Sequence, residues 1–213
     1  MKIISGKYKG RVINGFFING TRPTMDRVKE SVFAMIQDYI KDSIVLDLYS
    51  GSGNLAIEAI SNGAKYAYLV DNNKEAIKMI KSNINMLNID KAIIIEDDGK
   101  NALKKLIEDD ILFDIIFLDP PYNTNELDKI LKILNDNNDK LNKDILIICE
   151  TTLNIDYNKY NKFKIYKEKM PQNMKKVKVD YGIKINESLK VSEVNTSILG
   201  TLKGIKVRSL TGD

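Results

Sequence analysis

The chain has 213 residues, 43% of them apolar, which suits one domain of ordinary size with a hydrophobic core and excludes a disordered tail. It has no histidine and one cysteine, Cys149, which excludes histidine-based hydrolases, histidine-ligated metal centres, zinc ribbons and any intramolecular disulfide. Net charge is only +4, yet Lys2, Lys7, Lys9, Arg11, Arg22, Arg27 and Lys29 face only Asp26 and Glu30 among the first thirty residues. That asymmetry favours a polyanionic partner over a merely solvated basic surface.

No long apolar run and no signal-peptide core follows Lys2, so the expectation is a soluble cytoplasmic monomer with no membrane and no metal partner. Residues 2–22 read as a small β-hairpin region turning at Gly6 and Gly10, with a loop through Asn14, Gly15, Asn19 and Gly20. A helix follows, with Thr24 as its cap after Pro23. Val28, Val32, Met35, Ile36 and Tyr39 recur at helical spacing, which leaves Arg27, Lys29 and Glu30 for solvent or ligand.

From residue 44 strands and helices alternate, the pattern of a parallel sheet covered on both faces. The first strand, within IVLDLYSGSGNLAIEA, carries Asp47 near its end and is followed by Gly51 and Gly53 before a helix. Glycines there let a ligand approach the backbone, and the helix start offers free N–H groups. Twenty residues beyond Gly51 the strand YAYLVD ends in Asp71, an acid placed to grip both hydroxyls of a ribose.

A G-x-G-x-x-A turn with a downstream acid also suits a nicotinamide dinucleotide. Two features favour S-adenosylmethionine. Asp47 offers a partner to an amino-acid ammonium, where a pyrophosphate would be repelled. The third strand, AIIIED, ends at Asp97 and Asp98 before the Gly99 helix, where a carboxylate can accept an adenine amino group; capping of that helix is the plain alternative for Asp98. Tyr49, Asn72 and Gly99 flank these positions and complete the expected cofactor set.

The fourth strand lies within FDIIFLDPPY, residues 113–122. Its apolar run is stopped by two prolines, each removing a backbone donor and fixing φ. Asp119, the Asp119 and Pro120 carbonyls and the Tyr122 ring are thereby clustered as a receptor for a planar amine: oxygens for the two hydrogens of an NH2 group, a ring for the base. Further strands are expected at 145–150, 163–168 and 177–185, with helices near 54–62, 73–87, 99–108 and 125–137. Cys149 reads as a buried strand residue, and the segment from Asn186 to Asp213 as a loosely attached tail.

With IISGKYKGR at 3–11, TRPTMDRVKESVF at 21–33, LDLYSGSGNLAIEA at 46–59 and FLDPPY at 117–122, the chain resembles class I S-adenosylmethionine-dependent methyltransferases that methylate exocyclic amines. More closely, over residues 1–185, it resembles the RsmD family of 16S ribosomal RNA guanine-N2 methyltransferases. The resemblance implies an α/β, Rossmann-like fold with a seven-stranded, mostly parallel sheet and helices on both faces, plus a small N-terminal β-hairpin and helix extension. It implies a target in ribosomal RNA of the small ribosomal subunit, with Lys7, Lys9, Arg11, Arg22 and Arg27 on the RNA. The expected division is an RNA-binding extension at 1–40, a methyltransferase domain at 41–185 and a tail at 186–213. The residues alone leave open an adenine-N6 or cytosine-N4 target, an NAD-dependent oxidoreductase and an idle RNA-binding module.

Overall fold

The computed structural model describes residues 1–15, 24–121, 125–151, 156, 159–169 and 178–183; the side chains of 24–27, 151, 165–169 and 178–183 lie outside that description. Tyr122, Arg22, the 170–177 loop and the 186–213 tail also lie outside it, as does the Arg27 side chain. The chain forms two compact units, Met1–Phe117 and Leu118–Asp213.

In the first unit, α1 (Thr24–Ile40) leads into β1 (Ile44–Asp47), and helices α2 (Asn54–Ser61), α3 (Lys74–Leu87) and α4 (Gly99–Glu108) alternate with β2 (Tyr66–Asp71), β3 (Ala92–Glu96) and β4 (Ile115–Leu118). The strands lie in the order β3-β2-β1-β4, and every pairing is parallel. The chain thus winds outward from β1 to β3 and returns to the other side of β1, with Asp47 opposite Phe117 at the reversal. Such a reversal opens a crevice at the carboxyl ends of the strands, the usual ligand position in open α/β sheets. Ile115, Ile116, Phe117 and Leu118 are all buried, as a strand covered on both faces requires. Edge strand β3 mixes half-buried and exposed residues, with none buried.

Helix α1 departs from the sequence expectation. Val32, Met35 and Ile36 are buried as expected, but the buried stripe also takes in Lys29, Phe33 and Ile40, whereas Tyr39 is 47% exposed. The stripe is rotated because Phe33 stacks on Phe117, centroids 5.8 Å apart, and because Lys29 has a buried partner. Lys29 is therefore not left for solvent or ligand.

Residues 1–15 fold back with Lys2 bridging Val12, and Ile3 and Ile13 are buried. Gly6 holds φ +76°, and a Cβ there would stand 1.8 Å from the Ser61 carbonyl oxygen. Only glycine lets this segment lie so close to the end of α2, where the Lys7 N–H donates to that same carbonyl at 2.7 Å.

In the second unit, α5 (Glu126–Asp136) buries Leu127, Ile130, Leu131 and Leu134. Strands β5 (Leu146–Thr151), β6 (Lys164–Lys169) and β7 (Lys178–Ile183) run in the order β5-β7-β6, antiparallel throughout. Tyr160 donates its hydroxyl to the Asp128 carboxylate, which pins the segment before β6 to α5; Cys149 is buried in β5. Among the described residues no helix is long and apolar enough to cross a membrane.

Candidate functional site

The turn after β1 is built from backbone bonds and two left-handed glycines. The Leu48 N–H donates to Phe117 O, Ser50 N–H to Val70 O and Gly53 N–H to Ser50 O, while Ser50 Oγ donates to Asp47 O. Gly51 and Gly53 hold φ of +55° and +78°. Their roles differ. A Cβ on Gly53 would meet Leu69 Cδ2 at 2.9 Å, so Gly53 serves close packing of α2 on β2, whereas a Cβ on Gly51 would have no atom within 4 Å. Gly51 is the position where a ligand can reach the backbone.

Asp71, at the end of β2, spans this turn. Its Oδ2 accepts the Gly51 N–H at 2.8 Å and its Oδ1 accepts the Asn73 N–H at 2.9 Å. The carboxylate is half-buried. Asn72 is exposed, and Asn73 rather than Asn72 caps α3 by accepting the Glu75 and Ala76 N–H groups.

Asp47 lies beneath the turn rather than on its open side. It is 2% exposed, and its Oδ2 accepts the Ala56 N–H at 3.2 Å. Burial pushes its carboxyl up to about 7; the Ala56 bond opposes the shift and the Asp71 charge adds to it. It thus braces the first turn of α2 from inside.

At the end of β3, Asp98 caps α4, with Oδ1 accepting the Lys100 and Asn101 N–H groups at 3.0 and 3.3 Å. The capping alternative holds, and Oδ2 is not used in it. Tyr49 and Gly99 are brought together: a Cβ on Gly99 would stand 3.0 Å from the Tyr49 ring carbon Cζ, so the ring rests on the α4 start. Neighbouring Asp97 is held below the usual carboxylate range, first by a hydrogen bond from Lys105 and then by the Asp98 N–H.

Beyond β4, Asp119 is half-buried, Pro120 buried and Pro121 exposed. Lys7, Lys9 and Arg11 are exposed on the tip of the N-terminal segment, where Lys7 Nζ stands 5.0 Å from the centre of the Tyr8 ring.

Four polar residues that the sequence reading missed are buried behind the turn: Lys29, Asn54, Glu58 and Asn83. Lys29 Nζ meets Glu58 Oε2 at 2.9 Å and donates to Asn54 Oδ1 and Lys2 O. Glu58 also accepts the Ile4 and Ser5 N–H groups. Asn83 exchanges hydrogen bonds with the Asn14 backbone and donates to Ser52 O. A signal was present, since Glu58 is the one charged residue in the helix NLAIEAIS and Lys29 stands on the apolar stripe of α1.

The family described as Conserved hypothetical protein 95 matches residues 1–179. "Putative rRNA methyltransferase YlbH" of Bacillus subtilis strain 168 is 40% identical over 151 residues, covering 70% of this chain and 82% of that protein. "Ribosomal RNA small subunit methyltransferase D" of Haemophilus influenzae is 35% identical over 153 residues, covering 71% and 78%. Among solved structures, "Putative methyltransferase yhhF from Escherichia coli" superposes with a TM-score of 0.73 at 26% identity, covering 86% of this chain and 97% of that one. The open α/β sheet, the glycine turn at its reversal point and these matches agree, and the chain belongs to this family, the RsmD family of methyltransferases with the class I, Rossmann-like fold.

Proposed function

We propose that the chain transfers a methyl group from S-adenosylmethionine to the exocyclic N2 amine of a guanine in 16S ribosomal RNA of the small subunit. One observation carries the reading: the sheet reverses between β1 and β4, where a glycine turn with open space outside Gly51 follows Asp47, and the Asp-Pro-Pro-Tyr segment begins two residues beyond Phe117. The choice of guanine is supported by family membership, since the same oxygens serve any exocyclic amine.

The residues present fit S-adenosylmethionine. The Gly51 backbone faces open space, half-buried Asp71 keeps lone pairs for ribose hydroxyls, and Asp98 Oδ2 is available to an adenine amine; Asp47, Tyr49, Gly53, Asn72 and Gly99 frame these contacts. A dinucleotide fits less well. The Gly51 N–H that a pyrophosphate would take is already given to Asp71, whose negative charge would repel it. When bound, S-adenosylmethionine supplies an electrophilic methyl group on a sulfonium.

Alignment is then the main task of the protein, and positioning contributes up to about 7–11 kcal/mol in the best cases. Asp119 accepts one hydrogen of the amine, the Pro120 carbonyl accepts the other, and Tyr122 stacks on the base, worth about 1–3 kcal/mol. As the N–C bond forms and the C–S bond breaks, the product amine is cationic and releases its extra proton readily to water, so no strong base is needed, which suits a chain without histidine. Lys7, Lys9, Arg11, Arg22 and Arg27 hold phosphates and give salt-dependent affinity with little base preference. In this reading residues 1–40 carry the RNA contacts, 41–185 the transfer, and 186–213 has no assigned part.

The test is labelled methyl transfer to undermethylated ribosomal particles, protein-free ribosomal RNA and DNA, followed by nucleoside identification. N2-methylguanosine is expected. N6-methyladenosine or N4-methylcytidine would move the target to another base, and NAD binding without S-adenosylhomocysteine binding in calorimetry would overturn the reading.

A further inference from the structure

Behind the glycine turn the polar groups of the first unit form two buried clusters, one around Lys29 and Glu58 and one around Asn83. Lysine has three donors, and all three of Lys29 are engaged within 2.9 Å: Lys2 O in the N-terminal segment, Asn54 Oδ1 at the first residue of α2, and Glu58 Oε2. Glu58, fully buried, binds the Ile4 and Ser5 N–H groups at 2.9–3.0 Å. Asn83, also fully buried, holds Asn14 N–H on its Oδ1 and gives Nδ2 hydrogens to Asn14 O and Ser52 O, each at 2.9 Å. Ser52 Oγ stands 3.3 Å from the Met1 sulfur. Both limbs of the N-terminal segment are therefore tied to residues 52 and 54 of the turn, and the exposed Lys7–Arg11 tip hangs between them.

Stability alone does not account for this construction, because well-packed apolar residues often replace a buried ion pair with no loss. What the buried pair and Asn83 supply is direction: each accepts one geometry of the N-terminal backbone against one geometry of the turn. We infer that Lys29 and Asn83 are positioning residues that couple the methyl-donor turn to the basic tip, so that occupancy of the turn by the donor orders the N-terminal segment and raises affinity for RNA. This rests on the reading that the turn takes S-adenosylmethionine and the tip takes RNA phosphates. A ligand on Gly51 restrains Ser52 O and Asn54 Oδ1; Asn83 and Lys29 pass that restraint to Asn14 and Lys2. The ordering entropy is then spent once for two ligands, and the coupling is reciprocal.

The experiment uses the full chain, S-adenosylhomocysteine and a 16S ribosomal RNA transcript. Amide hydrogen exchange is followed at Ile4, Ser5, Asn14, Gly51 and Gly53, and RNA affinity is measured with and without S-adenosylhomocysteine. In the natural chain S-adenosylhomocysteine is expected to slow exchange at all five amides and tighten RNA binding by roughly five- to tenfold, within the usual range of such couplings. Asn83→Ala keeps the protection at Gly51 and Gly53 but loses it at Asn14, and the tightening falls below about twofold. Lys29→Met with Glu58→Gln removes the second link without leaving a buried charge, and is expected to lose the protection at Ile4 and Ser5. Protection confined to Gly51 and Gly53 in the natural chain, or tightening unchanged in both variants, overturns the coupling and leaves the donor reading intact. No binding of S-adenosylhomocysteine at all overturns the donor reading and the coupling with it.

Discussion

At the end of β1 the chain turns through Leu48 to Gly53 under the hold of groups distant in sequence: Asp71 on the Gly51 N–H, Asn83 on the Ser52 carbonyl, Lys29 on the Asn54 side chain. At the end of β4 the chain turns at Asp119 to Pro121, where two pyrrolidine rings fix φ from within the segment itself. One turn takes its shape from tertiary structure and the other largely from covalent structure. Damage to the first should therefore spread into the fold, while damage to the second should stay in the chemistry.

Lys29→Ala tests the first half most severely. It leaves the Glu58 carboxylate buried and unpaired, and is expected to cost about 3–5 kcal/mol in denaturant unfolding. A loss below about 1 kcal/mol would place the support of the turn elsewhere. Asp119→Ala tests the second half: turnover is expected to fall about a hundredfold or more, roughly 2.7–4 kcal/mol in the barrier, with affinity for S-adenosylhomocysteine nearly kept. A variant that retains most of its rate would remove Asp119 from the chemistry.

Asp47 offers a pH test of the first turn. Its carboxyl is raised by burial from 3.8 to about 7, so the folded state disfavours the charged form. Its contribution to stability is complete below about pH 4 and is lost as pH rises to about 7, on the order of 1–4 kcal/mol in all. Asp47→Asn should lack that slope, so the difference between the two stability–pH curves should change between about pH 4 and 7, and parallel curves would refute the burial assignment. The smallest effect on the fold is expected from Gly51→Ala. With no atom within 4 Å of the new Cβ, only the left-handed φ is strained, about 1–2 kcal/mol. Calorimetry should show a tenfold or greater loss of S-adenosylhomocysteine affinity beside that modest cost, and unimpaired affinity would argue against ligand approach at Gly51.

The same contrast explains what the sequence made legible. Each β-strand and α-helix from residue 44 to residue 183 lies within two residues of its expected place, because apolar runs, glycine stops and the Pro pair act locally, while the short 3-10 turn at Asn138–Lys140 was not expected. Gly51 and Gly53 stood out as a pair, but only the packing of Leu69 separates the one that closes the fold from the one that faces space. Asp98 caps α4, a role that a local pattern already suggested. Lys29 was misplaced on the solvent side, since a charge on a helix reads as exposed until its partner is known; Glu58 lies 29 residues away in sequence and Ser5 a further 53. Tyr39 was misplaced with it, because the buried stripe turns toward Lys29 and Phe33.

The N-terminal segment bonds to Glu58, Ser61 and Asn83 across 53 to 69 residues of chain. During synthesis its docking site does not exist until α2 and most of α3 have left the ribosome, so this segment waits for chain made after it. Contacts of such long sequence separation slow folding. For seconds, at an elongation rate of about 5–20 residues per second, the Lys7–Arg11 stretch travels as an unanchored cationic strand before its docking site forms.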